Sequence, residues 1–422
     1  MRVLWLSHFV PYPPTGHGAL QRSYHLLAQT ASRHETHLVA TMGAGAFDEA
    51  GLAAAHEALG RLCASVTLVP LAPSAGRERL RRPALAARSL VSGQSYWDHL
   101  FWHREAASAV GALVRRGAVD VAHVDIVFLR PYLRLLGRTP VVLNHHNVES
   151  HLLHRRAQAA GRLGRSYFGA QARMTERAEI EVARRVAHNV VVSDLDGERL
   201  RALTGATEVT TVRNGVDLDF FRSSSRPAPG PARLVWAGGM DWFPNGDAIR
   251  WLATELWPAL AADGAGRQVD VVGRNPPAEI VELAARDPRV RVHGFVDDVR
   301  PYLERATAYL CPIRVGGGTR LKVLDALAMR IPLVGTTIGV EGLGLRDGAE
   351  YLRADSVPEF VRAVRRLEEE PALGAALVDA GRAHVEAQYG WDRIGSELAA
   401  VHEAAARAVP TGAARATAGA RG

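Results

Sequence analysis

The amino-acid sequence predicts an α/β fold with two Rossmann-like, doubly wound domains that face each other across a cleft. Short apolar runs rich in Val and Leu alternate with amphipathic stretches along almost the whole chain, which is the pattern of repeated βαβ units. The runs do not alternate polar with apolar residues, so they are typical of parallel strands covered on both faces. A connector rich in Ser, Pro and Gly, residues 221–231, divides the 422 residues, too many for one ordinary core, into two halves.

The first half, residues 1–220, is predicted to form the N-terminal domain. Amphipathic stretches such as residues 20–32 and 48–62 separate consecutive strands and are predicted helices that cover a sheet. The predicted strands are Val3–Ser7, Thr36–Ala40, Ser65–Val69, Val119–Val124, Val141–Asn144, Asn189–Ser193 and Glu208–Val212.

The second half, residues 232–390, repeats the scheme and is predicted to form the C-terminal domain. Its predicted strands are Arg233–Trp236, Val269–Val272, Val290–His293, Ala308–Cys311, Leu333–Thr336 and Glu350–Leu352. Its predicted helices are Ala248–Leu260, Pro277–Ala285, Asp298–Arg305, Leu321–Arg330 and Val357–Glu369. A last helix begins at Trp391, and residues 410–422 lack periodicity and are predicted to be disordered.

The cysteine content and the start of the chain indicate a protein of a reducing compartment. The two cysteines, Cys63 and Cys311, lie far apart in apolar stretches, so a disulfide framework is excluded. The first residues do not have the layout of a signal peptide, and no stretch approaches the ~20 apolar residues of a membrane span. We therefore expect a cytoplasmic protein.

The net charge of +7 indicates a basic surface, which attracts phosphates, anionic lipid headgroups or nucleic acid. The sequence contains no zinc-finger spacing and no RNP-type aromatic pattern, so no nucleic-acid partner is predicted. Residues 77–88 hold five arginines around Leu80 and Leu85. This segment predicts either a solvated helix face or a surface that touches the inner face of an anionic membrane.

The most informative motif is a glycine-rich loop that follows a predicted strand and leads into a helix. Glycines let the backbone approach a ligand closely, and the helix directs free N–H groups and its positive dipole end at the loop. Two cations in the first turn complete a cradle that suits a phosphate or diphosphate, and a carboxylate one turn further on could accept bonds from sugar or ribose hydroxyls. Taken alone, a tight turn with solvated basic residues explains the motif equally well. The residues are Gly316, Gly317, Gly318, Thr319, Arg320, Lys322 and Asp325.

Three further turns in the second half place glycine directly after a predicted strand. Because the carboxyl ends of parallel strands lie at one edge of a sheet, these turns and the glycine-rich loop would converge on one crevice. The residues predicted to bind substrate there are Gly239, Gly273, Arg274, Gly294, Phe295 and Val296.

Two strand ends in the first half carry further candidate residues. Gly16 and Gly18 follow the first strand and allow close approach, although a Pro/Gly connector is the alternative interpretation. His146, Asn147 and Glu149 follow another strand, and suit recognition of a sugar hydroxyl or polarisation of a reacting group. A structural polar loop and a metal site are the alternatives, and the metal site is disfavoured because adjacent histidines rarely bind one ion.

Two Asp-x-Asp triplets, at 194–196 and 217–219, could hold Mg²⁺ under a diphosphate. Their context favours local structure instead. Ser193 or Asp194 matches the N-cap of a helix, and Asp217 follows an Asn-Gly turn. The sequence therefore predicts no metal site.

In their order, these elements resemble the family 4 glycosyltransferases of the GT-B fold, and most closely the bacterial group 1 branch that acts in polysaccharide and exopolysaccharide assembly. The resemblance extends from Arg2 to about residue 400. It depends on Pro11-Tyr12-Pro13-Pro14, His146-Asn147-Val148-Glu149, Arg213-Asn214-Gly215-Val216-Asp217, Pro244-Asn245, Val272-Gly273, Gly294-Phe295-Val296, Gly316–Ala328 and Thr336–Leu343.

The resemblance implies an enzyme that is metal-independent, needs no cofactor and retains anomeric configuration. Its donor would be a UDP-, GDP- or ADP-sugar held mainly by the C-terminal domain, and its acceptor a glycan or lipid-linked molecule held mainly by the N-terminal domain. The last helix, residues 391–409, would cross back to the N-terminal domain. The implied roles are base contacts for Gly294, Phe295 and Val296, ribose contacts for Asp325, diphosphate contacts for Gly16 and Gly18, and a donor-sugar contact for His146.

Two departures from the family pattern sharpen this expectation. Gly317 stands where the family often has the first Glu of a Glu-x7-Glu pair, and Met240 and Asp241 stand where it usually has Arg and Lys. The negative charge of a leaving diphosphate would then be met by the helix N-terminus, Arg320 and Lys322. With His146, these two cations are the predicted catalytic residues.

Other enzyme and non-enzyme functions remain open from the sequence. A sugar-nucleotide epimerase of similar fold and a non-catalytic sugar-nucleotide-binding subunit fit the same motifs. A phosphorylase requires a pyridoxal lysine, and this chain has very few lysines. Donor base, sugar and acceptor depend on pocket shape, which the motifs do not specify.

Overall fold

The computed structural model describes residues 1–13, 18–72, 75–223, 232–263, 266–316 and 319–408. The chain divides into two units. The first comprises Met1–Leu153, Ser166–Val212 and the chain from Gly395, and the second comprises His154–Arg165 and Arg213–Ile394. Most of the predicted linker and the whole predicted tail lie outside the described residues, as do Gly16, Gly317 and Gly318.

The first unit is built on a seven-stranded parallel sheet with strand order β3-β2-β1-β4-β5-β6-β7. All seven predicted strands are confirmed, with ends that differ by a few residues. Ser193, the last residue of the predicted strand at 189–193, lies beyond β6 and is the N-cap of the following helix, in agreement with the predicted cap at Ser193 or Asp194. The strands are β1 (Arg2–Ser7), β2 (Glu35–Met42), β3 (Ser65–Pro70), β4 (Val121–Val124), β5 (Val141–Asn144), β6 (His188–Val191) and β7 (Val209–Thr211).

Several helices in this half of the chain have no counterpart among the predicted elements. The long α7 shows why, because its buried face consists mostly of Ala, Gln, Thr and Glu rather than large apolar residues. Such a face gives little apolar periodicity. The helices are α1 (Gly18–Ala31), α2 (Glu49–Gly60), α3 (Ala75–Ser92), α4 (Tyr96–Phe101), α5 (Arg104–Arg115), α6 (Glu149–Ala159), α7 (Arg162–Ala183) and α8 (Asp194–Thr204), with a 3₁₀ segment at Val127–Leu135.

The second unit contains a six-stranded parallel sheet with strand order β10-β9-β8-β11-β12-β13. Five predicted strands are confirmed closely. The sixth is shifted to Leu352–Arg353, because Glu350 leaves the strand to accept bonds from Arg346 at 2.7 Å. The strands are β8 (Arg233–Ala237), β9 (Gln268–Val272), β10 (Val290–Gly294), β11 (Ala308–Cys311), β12 (Leu333–Gly335) and β13 (Leu352–Arg353).

The helices of the second unit confirm the predicted pattern with three differences, the first of which is that α15, Pro371–Gln388, has no predicted counterpart. The predicted helix at 248–260 begins earlier and contains a π-helical turn, Leu252–Leu256, and the predicted helix at 298–305 is a single turn. The helices are α9 (Phe243–Trp251), α10 (Trp257–Ala262), α11 (Ala278–Arg286), α12 (Arg300–Leu303), α13 (Leu321–Ala328), α14 (Val357–Glu369), α15 (Pro371–Gln388) and α16 (Trp391–Ala408).

Neighbouring residues of β8 show that both faces of the second sheet are covered. Leu234 and Trp236 pack into one buried cluster with α10 and α14, and Val235 packs into another with α13. This is the reason that the strands lack polar alternation. In both sheets the strand order reverses between the first and fourth strands of the unit, β1 and β4 or β8 and β11. Open α/β sheets bind ligands beside the carboxyl ends of such a pair.

The C-terminal part of α16 is joined to the first unit by a buried pair of histidines. His123 Nδ1 on β4 lies 3.0 Å from His402 Nε2, and the His123 ring stacks on Trp5 with centroids 3.7 Å apart. Burial lowers the pKa of His123 to about 3 and the pKa of His402 well below its ordinary value. Both rings are therefore neutral near pH 7, one donating and the other accepting.

Candidate active site

The carboxyl ends of β8, β9 and β10 are joined by backbone hydrogen bonds between their glycine turns. Gly238 N donates to the Val272 carbonyl at 2.9 Å, and Gly273 N donates to the Gly294 carbonyl at 2.7 Å. A Cβ on Gly273 would overlap the carbonyl oxygen of Gly238, and its φ is 144°. Only glycine fits this crossing, which brings three of the predicted turns together.

The start of the glycine-rich loop packs against the same turns. Gly316 has φ 139°, and a Cβ there would lie 2.5 Å from Nη2 of Arg320 and 3.2 Å from Cγ of Pro244. Arg320 is buried and is the N-cap residue of α13, so its side chain lies over the loop at the positive end of the helix. Gly317 and Gly318, between these two points, lie outside the described residues.

Lys322 reaches from the first turn of α13 to the end of β8. Its Nζ donates to Oδ1 of Asn245 at 2.7 Å and lies 4.5 Å from the centre of the Trp236 ring. The Nζ also borders Gly238, where a Cβ would be 2.9 Å away. Burial lowers the pKa of Lys322 to about 8, so an anion arriving here would restore the pKa by stabilising the ammonium.

Asp325 lies one turn after Lys322 on α13 and is almost fully buried. Burial raises the pKa of its carboxyl to about 8, against the opposing attraction of Lys322. Its Oδ1 has no hydrogen-bond partner among the described residues. A buried oxygen without a hydrogen-bond donor destabilises the folded protein, unless a ligand hydroxyl or a water donates to it.

The remaining predicted residues of the second unit lie around this centre. The Nε of Arg274 donates to Oδ1 of Asp241 at 3.4 Å, so the guanidinium is paired with that carboxylate. Phe295 is 72% exposed, and Val296 is partly buried beside it. Thr319 accepts a hydrogen bond on Oγ1 from the side-chain amide of Asn214.

His146 in the first unit belongs to a buried polar network that is centred on Asp125. The ring Nε2 of His146 is 3.0 Å from Asp125 Oδ1, and Asn144 Nδ2 donates to the same oxygen at 2.6 Å. Ser23 Oγ donates to Oδ2 at 2.5 Å. Although burial alone would raise it, the pKa of Asp125 is held below its usual range by the adjacent His146.

The importance of Asp125 was not predicted from the sequence. It directly follows β4, one of the two strands between which the sheet order reverses, and Ser7 at the end of β1 also donates to it at 3.3 Å. A polar residue directly after a predicted strand was an available signal. The strand order that singles it out is a property of the sheet, not of the sequence pattern.

The other predicted residues of the first unit have separate environments. His145 points away from His146 and its Nε2 lies 3.1 Å from Oδ1 of Asn189. Asn147 donates to the Glu149 carboxylate at 3.1 Å, at the beginning of α6. Gly18 is the first residue of α1, while Gly16 lies outside the described part of the chain.

The two Asp-x-Asp triplets serve as caps and turns, as predicted. Ser193 caps α8 by accepting from the Asp196 N–H at 3.1 Å, and Asp217 accepts from the backbone of Asp219 and Phe220. Within the part of the chain that the structure describes, no three His, Cys, Asp or Glu side chains are grouped to hold a metal ion. None of the described helices is long and apolar enough to cross a membrane.

Two family models match the chain in succession. The model described as Glycosyltransferase Family 4 matches residues 17–220, and the model described as Glycosyl transferases group 1 matches residues 231–370. Together they span most of the chain, one on each half. No curated protein matches the sequence.

Solved structures of similar fold cover nearly the whole chain. Sucrose-phosphate synthase from Thermosynechococcus elongatus has a TM-score of 0.71 at 16% identity and covers 96% of this chain and 98% of its own. HepE from Anabaena in complex with UDP has a TM-score of 0.64 at 14% identity, and the match covers 95% of this chain and 99% of the HepE chain. A glycosyltransferase from Rickettsia africae has a TM-score of 0.64 at 10% identity, and the match covers 96% of this chain and 98% of the Rickettsia chain.

At these identities the solved structures establish the fold, and the family models establish the class of enzyme. The chain is a glycosyltransferase of family 4 and of the group 1 type, with the two Rossmann-like domains of the GT-B fold.

Proposed function

We propose that the protein moves a hexose from a nucleotide diphosphate sugar to a glycan or lipid-linked acceptor, with retention of configuration and without a metal ion. The observation that carries the proposal is the pair of cations, the buried Arg320 and the partly buried Lys322, at the N-terminus of α13. Both lie against the glycine turns that end β8 and β11. Two cations at a helix N-terminus beside glycine turns favour an anion, and a diphosphate supplies that negative charge.

The same cations explain how transfer would proceed without a metal. As the bond from the anomeric carbon to the diphosphate breaks, negative charge develops on the leaving group. Fixed cations and helix N–H groups stabilise that charge without reorganisation during the reaction. In metal-dependent transferases a divalent ion does this work, whereas one carboxylate of each Asp-x-Asp triplet in this chain, Asp196 or Asp217, accepts hydrogen bonds in a helix cap or a turn.

The nucleoside would lie beside the ends of β9 and β10. Gly294 leaves open space at its Cβ position, and the exposed Phe295 ring offers a face for a base. Asp325 would accept from ribose hydroxyls through its buried, unpartnered oxygen. HepE binds UDP, and UDP-glucose in a further complex, so a UDP-sugar is the first donor to test.

His146 would contact the donor sugar. Asp125 accepts the Nε2–H of the ring. This contact selects the tautomer in which Nε2 carries the proton and Nδ1 faces other partners. Asn147 and Glu149 follow on the same strand end and would bind sugar hydroxyls.

Helix α3 would bring the first unit to an anionic lipid surface, where a lipid-linked acceptor is found. Leu80 and Val91 are 80% and 90% exposed, and Leu90 is also exposed. With Ala84 and Ala87 they form an apolar stripe at helical spacing, flanked by exposed arginines at 77, 79, 82 and 88. Such a face matches headgroups and acyl chains together.

The donor is tested by thermal shift with UDP, GDP, ADP and their sugars, followed by transfer assays with and without acceptor. A ligand that binds only the folded protein raises the melting temperature by linkage. We expect one nucleoside diphosphate to produce a clear rise and its sugar to be consumed faster with acceptor present. No rise with any of them would contradict the proposal, and turnover equal in both assays would favour hydrolysis or epimerisation.

The lipid contact is tested separately by co-sedimentation with vesicles of neutral or anionic lipid. Wild type should bind more strongly as anionic content increases, and L80D/V91D should lose binding. The matched control is V281D, which places the same charge at an exposed apolar position of the second unit. Binding that does not depend on the anionic lipid content, or that L80D/V91D retains, would contradict the proposed lipid contact.

A further inference from the structure

Arg155 lies outside every motif in the sequence, yet its guanidinium contacts the glycine-rich loop. The side chain extends from α6, and Nη1 donates to the backbone carbonyl oxygen of Gly316. The same guanidinium faces the Glu341 carboxylate, with Nη1 3.4 Å from Oε2 and Nη2 3.5 Å from Oε1. The two side chains are 23% and 16% exposed, so the pair is largely shielded from water.

Glu341 belongs to a loop that is itself tied to the strand before the glycine-rich loop. Thr336, just after β12, donates from its backbone N–H to the Cys311 carbonyl at 3.1 Å and from its hydroxyl to the Ile313 carbonyl. Gly339 N donates back to Thr336 Oγ1 at 2.9 Å. Arg155 therefore connects the loops that follow β11 and β12.

The far end of the glycine-rich loop is held in a similar way. The side-chain amide of Asn214 donates to Thr319 Oγ1. The two described ends of the loop, Gly316 and Thr319, are thus each fixed by a side chain that is distant in sequence. Glycine loses more conformational freedom on ordering than any other residue, so a loop of this composition needs external contacts to keep one shape.

We propose that Arg155 is a positioning residue of the donor site, which acts through the carbonyl oxygen of Gly316. The peptide group is planar, so a guanidinium that binds the carbonyl fixes the orientation of the whole group at the start of the loop. A charge-assisted hydrogen bond is stronger than a neutral one, and Glu341 keeps the guanidinium in place. This inference rests on the proposed nucleotide diphosphate site and names the residue that holds Gly316, at the start of its loop.

The test compares Arg155→Ala, Arg155→Lys and Glu341→Gln with wild type. Arg165→Ala is the matched control, because Arg165 is an exposed arginine on α7, just after α6. Steady-state kinetics with the active donor give kcat and KM, and calorimetry gives the affinity for the nucleoside diphosphate found in the thermal screen. We expect Arg155→Ala to lower kcat/KM by about 10- to 100-fold, the scale of a 1 Å misplacement.

Two further results separate positioning from general stability. Free guanidinium ion should restore part of the activity of Arg155→Ala and none in the control. Arg155→Lys should retain an intermediate rate, because an ammonium lacks the fork that reaches both acceptors. Glu341→Gln should cause a smaller loss, and combining it with Arg155→Ala should add little, as expected for residues in one contact.

The failure of this inference is distinguishable from the failure of the proposed function. If wild type binds none of UDP, GDP and ADP, the proposed function is overturned and the inference with it. If wild type binds and transfers while kcat/KM of Arg155→Ala equals that of the control, only the inference is overturned. If circular dichroism shows that Arg155→Ala is unfolded, full activity in both Arg155→Lys and Glu341→Gln would equally overturn the inference.

Discussion

The reversal points of the two sheets share one topology and differ in chemistry. In the first unit, side chains converge on the anionic Asp125, with His146, Asn144 and Ser23 around it. In the second unit, bare backbone turns meet at Gly238 and Gly273, and the cations nearby are the buried Arg320 and the partly buried Lys322. The shared topology therefore fixes where a ligand can bind, and local residues decide which ligand it is.

This contrast matches the different ligands proposed for the two reversal points. A site of glycine turns and cations suits a diphosphate, which needs close backbone approach and positive charge. A site of oriented polar side chains suits a sugar ring with many hydroxyl groups. Substitutions at the two reversal points test this division, and acid tests the buried histidine pair of the first unit.

The largest expected effect comes from Gly273→Ala. The new Cβ would overlap the Gly238 carbonyl, and φ of 144° is itself unfavourable for alanine. We expect a loss of more than about 3 kcal/mol of stability, measured by chemical denaturation with hydrogen exchange to assign it to the second unit. Gly294→Ala is the control, because φ is 65° there but the space is open, so about 1–2 kcal/mol is expected. Similar losses in both variants would show that the crossing is not tight.

Next come Arg320→Ala and Lys322→Met. Each removes a cation beside the glycine turns, and we expect kcat/KM to fall by about 10²-fold or more. The control is Arg330→Ala, which removes an exposed arginine at the other end of the same helix. Rates like wild type in both site variants would remove these cations from the diphosphate role.

Asp125→Asn tests the first reversal point. It removes the charge that orients His146 while preserving shape, and we expect kcat to fall about 10-fold with affinity for the nucleoside diphosphate unchanged. The control is Asp120→Asn, which breaks a more exposed ion pair with Arg2. A loss of nucleotide affinity in Asp125→Asn would contradict the division between the two sites.

The most gradual effect is that of acid on the first unit. The pKa values of His123 and His402 are lowered by burial, so below the unfolded value of about 6.5 the unfolded chain binds protons that the folded chain does not. Stability should therefore fall as pH drops, by up to about 1.4 kcal/mol per pH unit for each histidine, until His123 titrates in the folded state near pH 3. Hydrogen exchange of β4 and α16 measures this decline. His402→Gln should lessen the slope, and an unchanged slope would assign the acid sensitivity to other groups.

Sequence periodicity was sufficient for the sheets and less so for the helices. Most of the parallel strands appear as apolar runs because the inner strands of each sheet are buried on both faces, whereas the edge strands β3 and β10 are only partly buried. Helix α7 was missed because Gln171, Thr175 and Glu179 occupy its buried face. Glu179 is buried because its carboxylate accepts from the N–H of Glu149 at 2.7 Å, a partner 30 residues away that no local pattern reveals.

The candidate site divides in the same way. Gly273, Gly294, Gly316, Arg320 and Lys322 were predicted because glycine after a strand and a cation at a helix start are local signals. Asp125 and Arg155 were not. Each matters through a contact with a residue far along the chain, Asp125 with Ser23 and Arg155 with Gly316.

The sequence by itself determined the class of fold, the number of strands in each sheet, the glycine turns and the family. These follow from propensity, periodicity and short motifs, which are properties of neighbouring residues. Only the tertiary structure decided the strand order, the convergence of the turns through Gly273, the burial of Lys322 and Asp325, and the contact of Arg155 with the glycine-rich loop. The physical reason is that burial, pKa shifts and long-range hydrogen bonds depend on which segments pack together, and that packing is absent from any local stretch of the chain.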